Sequence, residues 1–314
     1  MQSKKVIWID FKNSHEPLFF KSIINSLQDY EKVYTHRDHL EVSGLIKKYG
    51  YNSLEVGGRT TGSMLRRKIS FMFRVLKLLI TVPKYDISLH HGSIWASFVS
   101  KIQNRKSICL TDNEKDHDLN KWTFKFSDYL LTPSSIPIEE LTVDNISKDK
   151  VLQFDGYKEQ IYINDYKPDK NFIKKIPFDD YVVIRPEAMD ATYVKKSKSL
   201  VTELVDIFSE NGFNIVLLPR NNSYNHLIKK DNIFVPPKPM NGLDLCYHSK
   251  AVLTGSGTLA REAACLGIPA VSFYPSSLLA VDKSMISKGW VFHSRQIAKM
   301  YHYVLNSKKN TNRI

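Results

Sequence analysis

The stretch AVLTGSGTLAREAACLGIPAVSFYP, residues 251–275, decides the fold. Its first four residues, Ala251–Thr254, are an apolar run of the kind that forms a buried strand. The run breaks at Gly255-Ser256-Gly257, a helix opens at Thr258, and Gly267 ends it. Ala270–Tyr274 then reads as a returning strand. A strand, a helix and a second strand at this spacing make a βαβ unit, which implies a parallel sheet. Glycines at the strand-to-helix bend let the backbone approach a ligand closely. The free N–H groups and partial positive charge of the helix start suit a phosphate. Glu262, on the first turns of that helix, could accept hydrogen bonds from two ribose hydroxyls.

The same alternation extends in both directions. Upstream in the second half, Tyr181–Arg185, Asn214–Leu218 and Ile233–Val235 read as strands, with helices over Lys198–Glu210 and Gly242–Ser249. In the first half, Val6–Asp10, Lys32–His36, Leu54–Val56, Ile87–His90, Ser107–Leu110 and Tyr129–Thr132 read as strands. Helices are expected from Pro17 to Tyr30 and over Leu40–Tyr49. The expected class is α/β, with two doubly wound Rossmann-like domains facing across a cleft. Residues 1–160 form the first domain, a polar stretch at 161–177 with Pro168 and Pro177 forms a linker, 178–306 form the second domain, and 307–314 form a basic tail.

Ligands of such sheets bind at the carboxyl ends of the strands. Arg185 and Arg220 each follow a strand of the second domain, and guanidinium forks suit the oxygens of a diphosphate. Together with Gly255, Ser256, Gly257 and Thr258 they outline a nucleotide-diphosphate site. In the first domain His90-His91-Gly92-Ser93 ends a strand. Adjacent residues of a strand point to opposite faces. His91, beside the glycine, is therefore the candidate general base. Asp112 or Glu114, after the next strand, could orient that histidine or bind an acceptor hydroxyl, and a capping role for either carboxylate is equally compatible. Asn13, Ser14 and His15, after the first strand, are candidates to line an acceptor pocket.

Charge and composition narrow the classes. The 314 residues include 45 Lys+Arg against 32 Asp+Glu, a net charge of +13, which favours polyanionic partners. With 42% hydrophobic residues the chain is ordinary globular material. Cys109, Cys246 and Cys265 are odd in number and make no CxxC, so buried, reduced thiols and a cytoplasmic location are expected. No apolar run reaches the ~18 residues that a spanning helix needs. HExxH, GxSxG and GxxxxGK[ST] are missing. Asp116-His117-Asp118 has the DxD form of a metal-binding diphosphate site, but it lies among first-domain elements, so no metal is expected. Residues 59–84 carry seven basic and no acidic residues. Ser63 caps a helix there, Pro83 ends it, and Leu65, Ile69, Met72, Leu76 and Leu79 recur at helical spacing beside Phe73 and Ile80. Residues 63–82 can therefore lie on an anionic membrane surface or pack on their own sheet. No nucleic-acid-binding signature accompanies the charge.

Taken in order, several short stretches resemble the widespread, mainly archaeal family catalogued as domain of unknown function 354, which is grouped with glycosyltransferases of the GT-B fold. They are Trp8-Ile9-Asp10, Asn13-Ser14, Phe19-Phe20-Lys21, His91-Gly92-Ser93, Gly156 and Lys158-Glu159 in the first half. In the second half they are Arg185-Pro186, Leu218-Pro219-Arg220, Gly242-Leu243, Tyr247, Gly255-Ser256-Gly257-Thr258, Arg261-Glu262-Ala263 and Ala280-Val281-Asp282. The family often has Pro-His after Asn-Ser, where this chain has His15-Glu16.

The resemblance implies a nucleotide-sugar site in the second domain and an acceptor site in the first. It implies that the helix after the glycine bend holds the diphosphate, that Glu262 holds the ribose, and that no divalent ion or cofactor is needed. Retaining GT-B enzymes often carry a further glutamate eight residues before the ribose-binding one, and Thr254 stands there. Non-hydrolysing UDP-N-acetylglucosamine 2-epimerases share the fold. Their His-Gly-Asp motif is similar to His91-Gly92-Ser93 without the carboxylate, and their His-Arg-Glu-Asn segment is similar in place to Arg185-Pro186-Glu187 without the histidine. Glu114 could match their next catalytic acid.

The expected function is thus a metal-independent glycosyltransferase working from a UDP-sugar on a glycan or lipid-linked acceptor, cytoplasmic or peripheral on the inner membrane face, with direct displacement and inversion. A 2-epimerase is the alternative, and a non-catalytic basic binding module the third reading.

Overall fold

A computed structural model describes residues 4–310 apart from 39–40, 59, 61, 116, 144–145, 188–198, 221–223, 225 and 228–229, with the backbone alone described for 117–119. Arg59, the start of the helix expected at Leu40, the start of that expected at Lys198, and the Asp116-His117-Asp118 side chains lie outside the described residues. Residues 1–162 and 163–314 form two compact units.

The first unit runs β1 (Val6–Phe11), α1 (Glu16–Ser26), β2 (Glu31–Asp38), α2 (Val42–Lys48), β3 (Ser53–Gly58), α3 (Met64–Thr81), β4 (Ile87–His91), α4 (Ile94–Ile102), β5 (Lys106–Leu110), α5 (His117–Phe126), β6 (Tyr129–Pro133), α6 (Ile138–Leu141), β7 (Val151–Phe154) and α7 (Lys158–Ile163). All its strand pairings are parallel, in the order β3-β2-β1-β4-β5-β6-β7. The second unit continues with β8 (Val182–Arg185), α8 (Val201–Glu210), β9 (Ile215–Leu217), β10 (Ile233–Phe234), α9 (Gly242–His248), β11 (Ala251–Thr254), α10 (Gly257–Cys265), β12 (Ala270–Ser272), α11 (Ala280–Ser287), β13 (Val291–His293) and α12 (Ile297–Asn306). Its sheet is also parallel, in the order β10-β9-β8-β11-β12-β13. Each sheet reverses its winding once, between β1 and β4 in the first and between β8 and β11 in the second. These switch points are where open α/β sheets leave a crevice for ligands.

The central strands are buried on both faces. Val182, Val183 and Ile184 of β8 and Ala251, Val252 and Leu253 of β11 are all inaccessible, and Phe208, Leu217 and Phe273 pack in the same core. In the first unit Trp8 packs with Val75, Leu78 and Tyr85, and its indole N–H donates to Thr35 at 2.8 Å, so the buried polar atom has a partner. The three cysteines are buried, and none of them is in a disulfide.

Several sequence-based expectations change. The edge strands β7 and β13 go unread in the sequence, because each is short and has residues only partly buried. Within residues 161–177, expected as a linker, Phe172 is buried and stacks on His248, and the Tyr166 hydroxyl donates to Asp244, so this stretch packs on the second unit. Of the expected basic tail, Lys309 and Asn310 are held by the Tyr247 and Gly267 carbonyls. A β-carbon at Gly267, whose φ is +70°, would collide with the Asn310 carbonyl, so this position needs glycine for both reasons.

Candidate functional site

In the first unit the switch point gathers a polar cluster. β4 ends at His91, and Gly92 follows with φ +63°, which favours glycine. Its carbonyl accepts from Lys12 Nζ at 2.7 Å. Ser93 then caps α4, accepting from the Ala96 N–H, and donates to Asp10 at 2.6 Å. The motif His91-Gly92-Ser93 thus serves a turn and a cap, and Ser93 has no free hydroxyl role. Alternation separates the two histidines as expected. His90 is inaccessible, accepts from the Ser93 N–H at Nδ1, and so presents Nε2–H to Ser97 and Ser107. Burial pushes His90 down to about 3.

His91 faces the cluster instead. Its Nε2 lies 3.0 Å from Asp112 Oδ1, and Lys158 Nζ sits 2.7 Å from the other oxygen of that carboxylate. Its Nδ1 is 3.8 Å from Glu16 Oε1, and its ring meets His15 and Phe19 edge-on. Glu16 is fully buried and accepts from the Lys12 backbone N–H and from Asn13 Nδ2. Burial alone would raise its pKa, but the adjacent His91 ring and the Lys12 ammonium hold it below the usual carboxylate value. Lost hydration, then Lys158 and His91, push His15 down to about 3. His15 is therefore neutral at physiological pH. The arrangement is an imidazole gripped by one carboxylate that a lysine backs, with a second carboxylate at its other nitrogen. Such a group can take up and return a proton.

Of the residues read from the sequence, the structure brings Asp112, His15 and His91 together and sets Asn13 on Glu16. Glu114 is buried and lines a small cavity with Asn120, Phe124 and Leu141. Ser14 has no described contact with the cluster. Glu16, Lys12 and Lys158 are members that the sequence reading missed. Glu16 is hidden because Glu before Pro reads as a helix start, and Lys158 because it lies on a different element, α7. His15, Glu16 and His91 bring ligand atoms within 4.8 Å of one another, a set that could hold a cation. The adjacent Lys12 and Lys158 ammonium groups already balance the carboxylates, which favours proton chemistry there.

The second unit builds its site at its own switch point. In the pairing of β8 with β11, Arg185 stands opposite Thr254, and the Gly255 N–H donates to the Arg185 carbonyl at 3.0 Å. Arg220, after β9, donates from Nε to the Pro186 carbonyl at 3.0 Å. Arg185, Arg220 and the Gly255–Thr258 bend therefore share one rim. Thr254 is buried, and its hydroxyl accepts from the Ser256 N–H at 2.9 Å, shaping the bend. A β-carbon on Gly255 would lie 2.5–2.8 Å from atoms of Glu187, so only glycine fits. Ser256 precedes α10 without capping it through its side chain. The N–H groups of a first helical turn have no partner within the helix. Arg261, buried below, pairs with Asp282 at 2.7 Å and ties α10 to α11. Glu262 is half-buried and, like Arg185, acts on the buried Cys246. Burial first, then Glu262, raises that thiol's pKa well above its usual value, while Arg185 opposes the rise. Glu187 is not available to a ligand, since it is inaccessible and bound to Ser199 and Arg295.

An uncharacterised Methanocaldococcus jannaschii protein, MJ0665, is 28% identical over 312 residues, covering 95% of this chain and 90% of its own. A crystal structure of the M. jannaschii UDP-GlcNAc 2-epimerase in complex with UDP-GlcNAc and UDP superposes with a TM-score of 0.76 at 16% identity, over 97% of this chain and 94% of that one. The kitacinnamycin glycotransferase superposes with a TM-score of 0.62 at 11% identity, over 99% and 93%. Likeness at these identities shows the fold, which is GT-B: two Rossmann-like α/β units. A sequence model described as protein of unknown function DUF354 matches residues 5–313, and the chain belongs to that family.

Proposed function

We propose that the chain is a glycosyltransferase that moves a sugar from a nucleotide-diphosphate donor, a UDP-sugar, to a hydroxyl of a glycan or lipid-linked acceptor in surface polysaccharide or glycoconjugate synthesis. The observation that carries the reading is the meeting of Arg185, Arg220 and the Gly255–Thr258 bend on one rim, at the β8/β11 switch point. Arg185, Arg220 and the start of α10 stabilise the charge that develops on the leaving diphosphate. Glu262 binds the ribose. In the first unit His91, oriented by Asp112 and Lys158, takes the proton of the acceptor hydroxyl as the new glycosidic bond forms and the bond to the diphosphate breaks. Asn13 and His15 are the acceptor-side residues. Thr254, buried and engaged with Ser256, offers no nucleophile, which supports direct displacement with inversion. The residues invoked supply charge stabilisation and proton transfer, so the reading routes no step through a metal.

A second reading, a 2-epimerase, is favoured by the fold likeness to the Methanocaldococcus enzyme. Against it stands Ser93, which occupies the carboxylate position of the epimerase motif and is spent on Asp10 and the α4 cap. Incubation with UDP-N-acetylglucosamine separates the two. A transferase releases UDP only when an acceptor is added. Appearance of the 2-epimer by NMR without acceptor replaces the transferase reading with the epimerase one. For a non-catalytic basic module, no nucleotide would raise the melting temperature.

A further inference from the structure

Helix α3 carries two apolar faces. The inner one, Val75 and Leu78 with Phe71 and Leu79 beside them, packs in the core around Trp8. The outer one is Leu65, Ile69, Met72, Phe73, Leu76 and Ile80, all exposed, with Leu65 at 68% and Ile80 at 83%. At 100° per residue its centre lies about 125° around the helix from the inner face. The outer stripe is therefore surplus to what the core needs, and it exceeds the singly scattered apolar residues of an ordinary surface.

Charge says what covers it. Arg66 and Lys77 flank the stripe on one side and Lys68 on the other by helical position, and all three are exposed. Lys77 Nζ lies 4.7 Å over the Phe73 ring, so its stem runs along the apolar surface. No acidic residue occurs between Glu55 and Asp86. Arg74, by contrast, turns inward, pairs with Asp10 at 2.8 Å and lies 4.6 Å over Trp95. The helix thus keeps its one inward cation for the fold and its outward cations for the stripe. A second copy of this chain would bring the same cations against themselves. Nucleic acid has no use for six exposed apolar side chains.

We infer that the outer face of α3 docks on an anionic bilayer, with the stripe in the acyl boundary and Arg66, Lys68 and Lys77 among the headgroups. Asp10 joins this helix to the candidate acceptor side of the first unit. Its carboxylate holds Arg74 of α3 and Ser93 of the turn after His91. One buried carboxylate thus links the helix to the turn after His91. Membrane docking stands without the transferase reading; that reading adds only that the acceptor is presented by a lipid.

The test is flotation of the full chain with vesicles of phosphatidylcholine containing 30 mol% phosphatidylglycerol, and with phosphatidylcholine alone, without nucleotide. The comparison proteins are the Ile69→Ser/Leu76→Ser and Lys68→Glu/Lys77→Glu double variants, whose changed residues all face outward, with melting curves to establish that both fold. Binding to the anionic vesicles, weakened at least about tenfold by either variant, by 0.5 M salt or by omission of the anionic lipid, is expected. Equal binding by the variants, or no flotation of the parent, overturns the inference. So does a concentration-dependent dimer that Ile69→Ser/Leu76→Ser dissolves, which assigns the face to a second copy. Nucleotide binding measured on the same proteins separates failure here from failure of the proposed function.

Discussion

His91 sits between two carboxylates, one of them neutralised by Lys158, and this fixes what its replacement should do. His91→Ala should lower kcat by about 10²–10⁴-fold, the usual contribution of a positioned base, while leaving nucleotide affinity unchanged. Asp112→Asn keeps the shape but removes the charge that orients the imidazole. It should lower kcat in the same direction. Steady-state kinetics beside nucleotide titration checks both. Gly255→Ala is expected to cost about 1–3 kcal/mol, because its β-carbon would have to displace Glu187; chemical denaturation measures this. At this scale the sequence was most legible where backbone geometry demands a residue type, as at Gly92, Gly255 and Gly267. It was least legible where partners come from separate elements. Asp112 and Glu114 are indistinguishable on paper, and it is the register of β4 against β5 and the path after Leu110 that bring Asp112 to His91.

Among the elements, α3 shows that a correct period leaves open which side the stripe meets. The helix forms over Met64–Thr81 with Ser63 as its cap, as read. The heptad-like set Leu65, Ile69, Met72 and Leu76 faces solvent, and an arginine lies at the core face. Periodicity gives the stripe but not what it meets, and Arg74 is tolerated inside only because Asp10 waits for it. Arg74→Ala leaves that carboxylate buried and uncompensated, which should cost about 3–5 kcal/mol, read from urea unfolding. Strands β8 and β11 were recognisable because parallel strands buried on both faces are continuous apolar runs. β7 and β13 sit at the sheet edges with half-covered side chains, and the signal fades with the burial.

For the whole molecule, buried histidine sets a pH dependence. His90 is held neutral down to about 3, whereas an unfolded imidazole takes up a proton near 6.5. Below about 6.5 the unfolded chain therefore binds the extra proton, and stability falls as pH falls, by up to about 1.4 kcal/mol per pH unit for this group. The depressed Glu16 acts in the same direction: its contribution is present above the unfolded carboxylate value and is lost as the pH falls through its own lowered pKa. Melting temperature against pH should decline from 6.5 towards 4, and His90→Gln should flatten the upper part of the decline. The two-unit α/β plan was readable because βαβ alternation is a long-range pattern that survives errors at single elements. The placement of 163–177 was not, since Phe172 and Tyr166 find their partners, His248 and Asp244, some seventy-five residues away.

The account depends on the rim of the second sheet binding a nucleoside diphosphate. Calorimetric titration of the full chain with UDP, beside GDP, CDP and TDP, tests it directly. Saturable binding of one of them, weakened at least about tenfold in Arg185→Ala and in Glu262→Ala with the fold intact, is the predicted result. Absence of binding to all four, or undiminished affinity in both variants, would contradict it.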